Sequence, residues 1–164
     1  MNYLSMTKSE ITNGNGIRVA LWVSGCNHHC KNCQNPQTWD KDSGIPFDED
    51  AKKELFEKLS KNYISGITLS GGDPLSTINR FEIIPLLKEI KQKFPNKNIW
   101  CYTGYLWEDV KNLEAIQYID VLVDGEFKEE LSIPSPNWCG SSNQIVIDVR
   151  KSLKQDKVIE FDWR

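Results

Sequence analysis

Ile17-Arg18-Val19-Ala20-Leu21-Trp22-Val23-Ser24-Gly25-Cys26-Asn27-His28-His29-Cys30-Lys31-Asn32-Cys33 is the stretch on which the fold turns. Ile17 to Ser24 is short, apolar and β-branched enough for a strand, and Gly25 ends it. A polar, cysteine-rich loop follows, Cys26 to Gly44. The same strand-then-loop pattern returns at Gly66 to Ser70, which runs into Gly71-Gly72-Asp73-Pro74. Between the two, Phe47 to Leu59 reads as a helix. Asp48, Glu49 and Asp50 sit in its first turn, where they favour the positive end of the dipole. Leu55, Phe56 and Leu59 would line its buried face. Arg80 to Phe94 is helical in pattern, with Pro85 predicting a kink or a helix that starts near the proline. Asn98 to Tyr102 is a third strand, Trp107 to Ile116 a short helix, Ile119 to Val123 a fourth strand and Gln144 to Val149 a fifth. The charged tail, Arg150 to Arg164, is expected to fray.

Strands alternating with amphipathic helices imply a parallel sheet covered by helices. Right-handed crossovers would curl it. The chain of 164 residues is too short for a closed barrel of eight βα units, which takes roughly 250. The expected fold is α/β: an open, partial barrel of about five to six parallel strands, as one domain over residues 1–164. Functional loops should leave the C-terminal ends of the strands. That rule makes neighbours of the cysteine loop, the Gly71-Gly72 loop, Thr103-Gly104-Tyr105 and Asp124-Gly125-Glu126.

Composition bounds the function. Hydrophobic residues are 39% and charged residues 26% of the chain, which excludes both a membrane-embedded and a highly charged disordered protein. A formal net charge of -3 is too balanced for a protein that coats nucleic acid. The start of the chain is polar and no apolar run approaches the roughly 20 residues of a membrane helix. A cytoplasmic protein is therefore expected, with its five cysteines reduced. Reduced cysteines point to metal binding or catalysis, and an odd count argues against full disulfide pairing.

Cys26, Cys30 and Cys33 read C-x3-C-x2-C. Four cysteines saturate an iron–sulfur cubane. Three would leave one iron free to bind a substrate or cofactor, much as catalytic zinc keeps an open position. Zinc is the competing reading, since His28 and His29 lie inside the loop, although no second cysteine pair exists to complete the usual zinc pattern. Gly71 and Gly72 at a strand end let backbone approach a ligand with no Cβ in the way, and could meet the amino and carboxylate groups of an amino acid. The plain alternative is a βα turn with Asp73 as helix cap. Trp138-Cys139-Gly140-Ser141-Ser142-Asn143-Gln144 is a polar loop. Asn13-Gly14-Asn15-Gly16 lacks the ending of a phosphate loop.

Together these residues resemble the radical S-adenosylmethionine enzymes, whose shared marks are a C-x3-C-x2-C loop after the first strand and a Gly-Gly-acid-Pro loop after the second. Asn13 to Arg18, Val23 to Cys26, Cys33-Gln34-Asn35, Thr38-Trp39, Ser70 to Leu75, Trp100 to Tyr105, Val121 to Phe127 and Trp138 to Gln144 extend the resemblance to about Arg150. There the chain is similar to the glycyl-radical activases of anaerobic ribonucleotide reductases. The resemblance implies a [4Fe–4S] cluster on Cys26, Cys30 and Cys33, with S-adenosylmethionine chelated to the fourth iron. It implies that Gly71, Gly72 and Asp73 hold the methionine end and that Asn32, Cys33 and Gln34 lie against the adenosyl part. Thr103, Asp124 and Glu126 are weaker candidates on the same rim. It also implies a large reductase subunit as partner, a flavodoxin-like external electron donor, and no catalytic side chain beyond the cluster and cofactor. Nucleic acid and membrane are not expected partners. Two departures stand out: Asn32 replaces an aromatic residue common before the third cysteine, and Cys139 replaces the arginine of the Trp-Arg-Gly-Ser-Ser-Asn-Gln loop. Cys101 and Cys139 are not expected to be ligands. A small radical enzyme with a small-molecule substrate and a non-enzymatic zinc or electron-transfer module are the competing functions. Iron and sulfide content and a glycyl-radical signal separate them.

Overall fold

The computed structural model describes residues 1–134 and 138–162. Among these, seven strands form one open sheet in the order β3-β1-β2-β4-β5-β6-β7. They are β1 (Asn2–Glu10), β2 (Arg18–Val23), β3 (Ile45–Pro46), β4 (Gly66–Gly71), β5 (Asn98–Tyr102), β6 (Val121–Asp124) and β7 (Ile145–Asp148). Only β2, β4, β5 and β6 are mutually parallel. β1, β3 and β7 run antiparallel to their neighbours, which corrects the expected count of five to six parallel strands. The fifth predicted strand is in the sheet, but as β7 it enters from the opposite end. A parallel return needs a crossover to the far edge, usually a helix. Between β6 and β7 the described chain forms only a 3-10 turn at Glu129–Leu131, so it re-enters where it left. β1 escaped the sequence reading because most of its side chains are partly or fully exposed, with Tyr3 its one buried hydrophobic.

The helices are α1 (Glu49–Leu59), α2 (Arg80–Lys93), α3 (Trp107–Val110) and α4 (Val149–Gln155). Asp48 caps α1 by accepting from the Ala51 N–H at 2.9 Å, and Ala51, Leu55 and Leu59 face the core. α2 runs through Pro85. The bond the proline forfeits is to the carbonyl of Phe81, an exposed residue of the first turn that water can solvate, so no break is forced. The segment predicted as one helix at Trp107–Ile116 splits into α3 and a 3-10 turn at Glu114–Tyr118.

Alternation along the strands divides the sheet into two faces. Val19, Leu21, Ile67, Leu69, Ile99 and Leu122 share the large core with Leu55, Leu59, Ile83, Leu87 and Ile90 from α1 and α2. The other face carries Trp100, Val121, Val123 and Val146, packed by Tyr102, Trp138 and Phe161. Arg18 is buried on this second face with its guanidinium 5.3 Å from the Trp100 ring centre. It donates to Thr68 Oγ1 at 2.7 Å, Asn98 Oδ1 at 2.7 Å and the carbonyls of Ile67 and Asn15 at 2.6 and 3.0 Å. Burial lowers its pKa to about 10, so it stays charged at neutral pH, with its donors satisfied by neutral acceptors. The Asn13–Gly16 turn is thereby pinned across one end of this face.

The tail does not fray where it is described. After α4, Asp156 takes a left-handed conformation and the chain turns back. Asp148 donates its N–H to the Ile159 carbonyl at 2.9 Å and Phe161 donates to that of Val146 at 2.8 Å. The Phe161 ring then meets Trp100 edge-on at 5.2 Å. Residues 163 and 164, the end of the predicted tail, lie outside the described residues. No helix among the described residues is long and apolar enough to cross a membrane.

Candidate functional site

Because β2, β4, β5 and β6 are parallel, the loops that follow them gather at one end of the sheet. Gly25 begins the first by donating to the Thr38 carbonyl at 2.7 Å, and Cys26 donates to that of Trp39 at 3.1 Å. The loop therefore leaves and returns through a two-rung clamp. Within it, His29 and Asn32 are left-handed, with φ of 49° and 52°. The loop reverses direction tightly enough to bring Cys26, Cys30 and Cys33 onto one cavity of about 120 Å³. Gly71, Gly72 and Trp39 line the same cavity. Gly71 has a φ of +100°, a conformation that side chains rarely adopt. A Cβ on Gly72 would lie 2.5 Å from the Gly25 carbonyl oxygen and 3.0 Å from that of Thr38. The second glycine is thus needed for the close approach of the cysteine loop.

A larger cavity, about 330 Å³, adjoins the first and shares Cys33, Ser70 and Tyr102 with it. Gln34, Trp138 and Cys139 complete much of its wall. Asn32 points elsewhere: its amide donates to Glu129 Oε1 at 2.6 Å.

Asp73 is 1% exposed, and four protein donors engage its carboxylate. These are the N–H groups of Leu75 and Gly104 at 2.8 and 3.0 Å, the Thr103 hydroxyl at 2.9 Å and His28 Nε2 at 2.8 Å. The side chain expected to meet the cofactor's methionine end is occupied in tying loops together. His28 Nδ1 in turn lies 2.9 Å from Glu126 Oε1, and Tyr105 meets the ring edge-on at 4.6 Å. Both partners are carboxylates, so both bonds form together when the two ring nitrogens are protonated. The hydrogen bond to Asp73 raises the His28 pKa, burial opposes it, and Glu126 adds to the rise.

Asp124, another rim candidate, accepts from the N–H groups of Trp107 and Ile145 at 2.9 and 3.1 Å, and burial raises its pKa. Thr103, Asp124 and Glu126 thus all brace neighbouring loops. Gln144 accepts from Gly140 and Ser141 and donates to the Gly125 carbonyl at 2.8 Å, folding the Trp138–Gln144 loop on itself. Sequence reasoning weighed His28 only as a possible zinc ligand and gave Trp39 no part in the site. A histidine between two cysteines, facing acids at other strand ends, was the available signal for the first.

The donor set suits an iron–sulfur cluster. Burial pushes the Cys26 and Cys30 thiols up, and a metal centre supplies the positive charge that turns such thiols into thiolates. Asn35 donates its backbone N–H to Cys33 Sγ at 3.3 Å, as a charged sulfur requires. The indole N–H of Trp39 is buried without a hydrogen-bond partner, a donor left for a bound group. Among the described residues, no three or more His, Cys, Asp or Glu side chains are gathered to hold a single ion. Cys101 lies in the helix-side core, and burial raises its thiol well above the ordinary value.

The family model described as a 4Fe-4S single cluster domain matches residues 12–147. The chain is 46% identical to the anaerobic ribonucleoside-triphosphate reductase-activating protein of Enterobacteria phage T4, over 88% of this chain and 92% of the relative. It is 41% identical to the protein of that name from Escherichia coli K12, over 92% of this chain and all of the relative. The Pasteurella multocida protein of that name is 40% identical, with 89% and 96% covered. The matched segment runs from the Asn13 turn to β7 and so contains every loop that walls the two cavities, and with these relatives the chain belongs to the family of anaerobic ribonucleoside-triphosphate reductase-activating proteins.

Proposed function

We propose that this protein activates an anaerobic ribonucleoside-triphosphate reductase as a radical S-adenosylmethionine enzyme. One observation carries the reading: three cysteines of one loop and the Gly71-Gly72 turn of the next wall a single cavity. Cys26, Cys30 and Cys33 would hold three irons of a [4Fe–4S] cluster, leaving the fourth to the amino and carboxylate groups of S-adenosylmethionine. When bound, the cluster would supply the electron for reductive cleavage of S-adenosylmethionine, and with it the power to take a hydrogen atom from a glycine Cα of the reductase.

The chain's own residues bind and orient. The Gly71 and Gly72 backbone would meet the methionine end, with Asp73 setting that backbone through its bonds to the neighbouring loops. Cys33 and Gln34 would meet the adenosyl part in the larger cavity, and Asn32 would brace the loop through Glu129. The Trp39 N–H would donate to the bound groups. The second sheet face, with no helix over it, would curl into the expected partial barrel, within a single cytoplasmic domain. Its mouth must be covered against water and oxygen while the radical exists. A docked reductase segment would supply that cover near Cys26–Cys33 and Trp138–Gln144, and would place the glycine for transfer. A flavodoxin-like donor would deliver the electron.

The test is a reductase labelled with α-deuterated glycine, incubated anaerobically with the reconstituted protein, S-adenosylmethionine and a reductant. Deuterium should appear in 5′-deoxyadenosine, and the doublet of the glycyl-radical EPR signal should collapse. Cofactor cleavage with neither deuterium transfer nor a glycyl signal would overturn the activase reading.

A further inference from the structure

We propose that His28 is a positioning residue: its bridge from Asp73 to Glu126 fixes the cysteine loop against the Gly71-Gly72 turn, so that the cluster site and the S-adenosylmethionine site form as one unit. The inference rests on the function proposed above.

The cysteine loop is clamped at its root by the Gly25–Thr38 and Cys26–Trp39 bonds. Beyond the root, side-chain ties from residues 27–32 to other loops are few. Asn32 and Lys31 both reach Glu129, and the Lys31 and Glu129 side chains are 85% and 46% exposed. Exposed pairs of this kind contribute little. The His28 side chain is 10% exposed and makes two short bonds, to Asp73 at 2.8 Å and to Glu126 at 2.9 Å. It lies between Cys26 and Cys30, so its ring sets where that half of the loop stands.

The partners give the bridge its direction. Asp73 follows the glycine pair directly, and its N–H donates to the Gly25 carbonyl at 2.9 Å. A displacement of the His28 ring is therefore passed through one residue to Gly72 and, by a second route, back to the root of the cysteine loop. Room for the ring is built in. A Cβ on Gly104 would sit 2.5 Å from His28 Cδ2, and Tyr105 closes the ring edge. Glu126, on the loop after β6, completes the span. One side chain thus joins loops from β2, β4 and β6 across the mouth of the cavity, with the loop from β5 packed against its ring.

A side chain held at both ring nitrogens, to acceptors on two different loops, has its position fixed by geometry. Misplacing a binding loop by about an ångström is enough to cost a large factor in a positioned reaction. That separates positioning from packing. A packing role would make Glu126, whose side chain is 51% exposed, irrelevant once the ring is in place.

The experiment uses the full chain with His28→Ala, Glu126→Ala, Glu126→Gln and the His28→Ala/Glu126→Ala double variant. In metal-free protein, hydrogen–deuterium exchange is followed in the peptide spanning Cys26–Cys33. In reconstituted protein, iron and sulfide content, the EPR spectrum of the reduced cluster with and without S-adenosylmethionine, and the cofactor's Kd are measured. His28→Ala should speed exchange and weaken the Kd by about tenfold, and Glu126→Ala by about threefold, as expected for losing two and one hydrogen bonds. Both should alter the cofactor-induced EPR change while iron and sulfide stay near wild type. Glu126→Gln keeps an acceptor oxygen and should stay within about twofold of wild type, and the double variant should be no worse than His28→Ala alone. If His28→Ala holds no cluster, the two Glu126 variants decide by the same criteria. Exchange, Kd and EPR unchanged in Glu126→Ala, whatever His28→Ala does, would overturn the bridge. A wild type that takes up no cluster or binds no S-adenosylmethionine overturns the proposed function instead, and the exchange data on metal-free protein still decide the bridge.

Discussion

Gly104→Ala isolates the space reserved for His28. Gly104 lies outside the left-handed region, so alanine is allowed there conformationally. By restricting the unfolded chain, alanine would by itself stabilise by about 0.4–1 kcal/mol. Against that, the new Cβ would lie 2.5 Å from His28 Cδ2, 2.6 Å from Cγ and 2.7 Å from Nε2. The ring cannot swing away freely, because Asp73 holds Nε2 and Glu126 holds Nδ1. Forcing a methyl into such a site costs about 1–3 kcal/mol. If the ring is expelled, the bond to buried Asp73 is lost as well, at about 1.5–3 kcal/mol, while the half-exposed Glu126 can turn to water. The chain takes the cheaper of the two routes, and after the entropic gain the destabilisation is about 1–2 kcal/mol. In a chain of this size that lowers Tm by roughly 2–8 °C. The assay is anaerobic urea and thermal unfolding of metal-free wild type, Gly104→Ala, His28→Ala and the double variant. With His28 gone, Gly104→Ala should cost less than about 0.5 kcal/mol. A single variant as stable as wild type, or a double variant with the full penalty still present, would refute the reasoning.

Gly72→Val is expected to lose cluster as well as to weaken cofactor binding. Its Cβ meets the carbonyl oxygens of Gly25 and Thr38 at the root of the cysteine loop, and iron and sulfide analysis after reconstitution checks this. Single alanine variants of Cys26, Cys30 and Cys33 should lose the cluster absorbance, whereas Cys101→Ala and Cys139→Ala should keep it. Burial, with Asp124 and Glu160 adding, pushes the Cys139 thiol up from 9.0 to about 11. Its alkylation at pH 8, followed by peptide mass spectrometry, should run about a hundredfold slower than that of an ordinary thiol and rise about tenfold per pH unit to about pH 11.

What the sequence revealed was local. Cys26, Cys30 and Cys33 lie within eight consecutive positions, and Gly71 and Gly72 end a strand whose apolar run is unambiguous. Such signals survive without knowledge of the fold. The antiparallel entry of β7 did not, because its residues would suit either direction and the decision lies in the loop before it, which lacks a crossover helix. β1 was hidden by position, since a strand near the sheet edge needs few apolar residues. The protein partners of Asp73 were not legible, because an acid beside two glycines looks the same in sequence whether its partners are a cofactor or Thr103, Gly104 and His28. Those partners lie 30, 31 and 45 residues away, beyond any local pattern.

The two faces of the sheet explain why buried polar residues are harder to place from sequence than apolar ones. On the helix face, burial is mostly apolar packing, so most of its residues announce themselves by periodicity. On the other face no helix among the described residues covers the strands, and polar side chains complete one another there. Arg18 draws on Thr68 and Asn98, and the Tyr102 hydroxyl donates to the Trp138 carbonyl at 2.9 Å. Burying such groups is tolerable only when each finds its partner, so the face is specified by pairs and not by single residues. The same logic runs to the top of the sheet. Asp73 is tolerable when buried because four donors meet it, and one of them comes from the cysteine loop. A loop needed to present three thiolates is thereby held by a demand that originates in the core. Loosening the loop would leave a buried carboxylate short of a partner, which makes the ordered loop the lower-energy state even before any metal arrives.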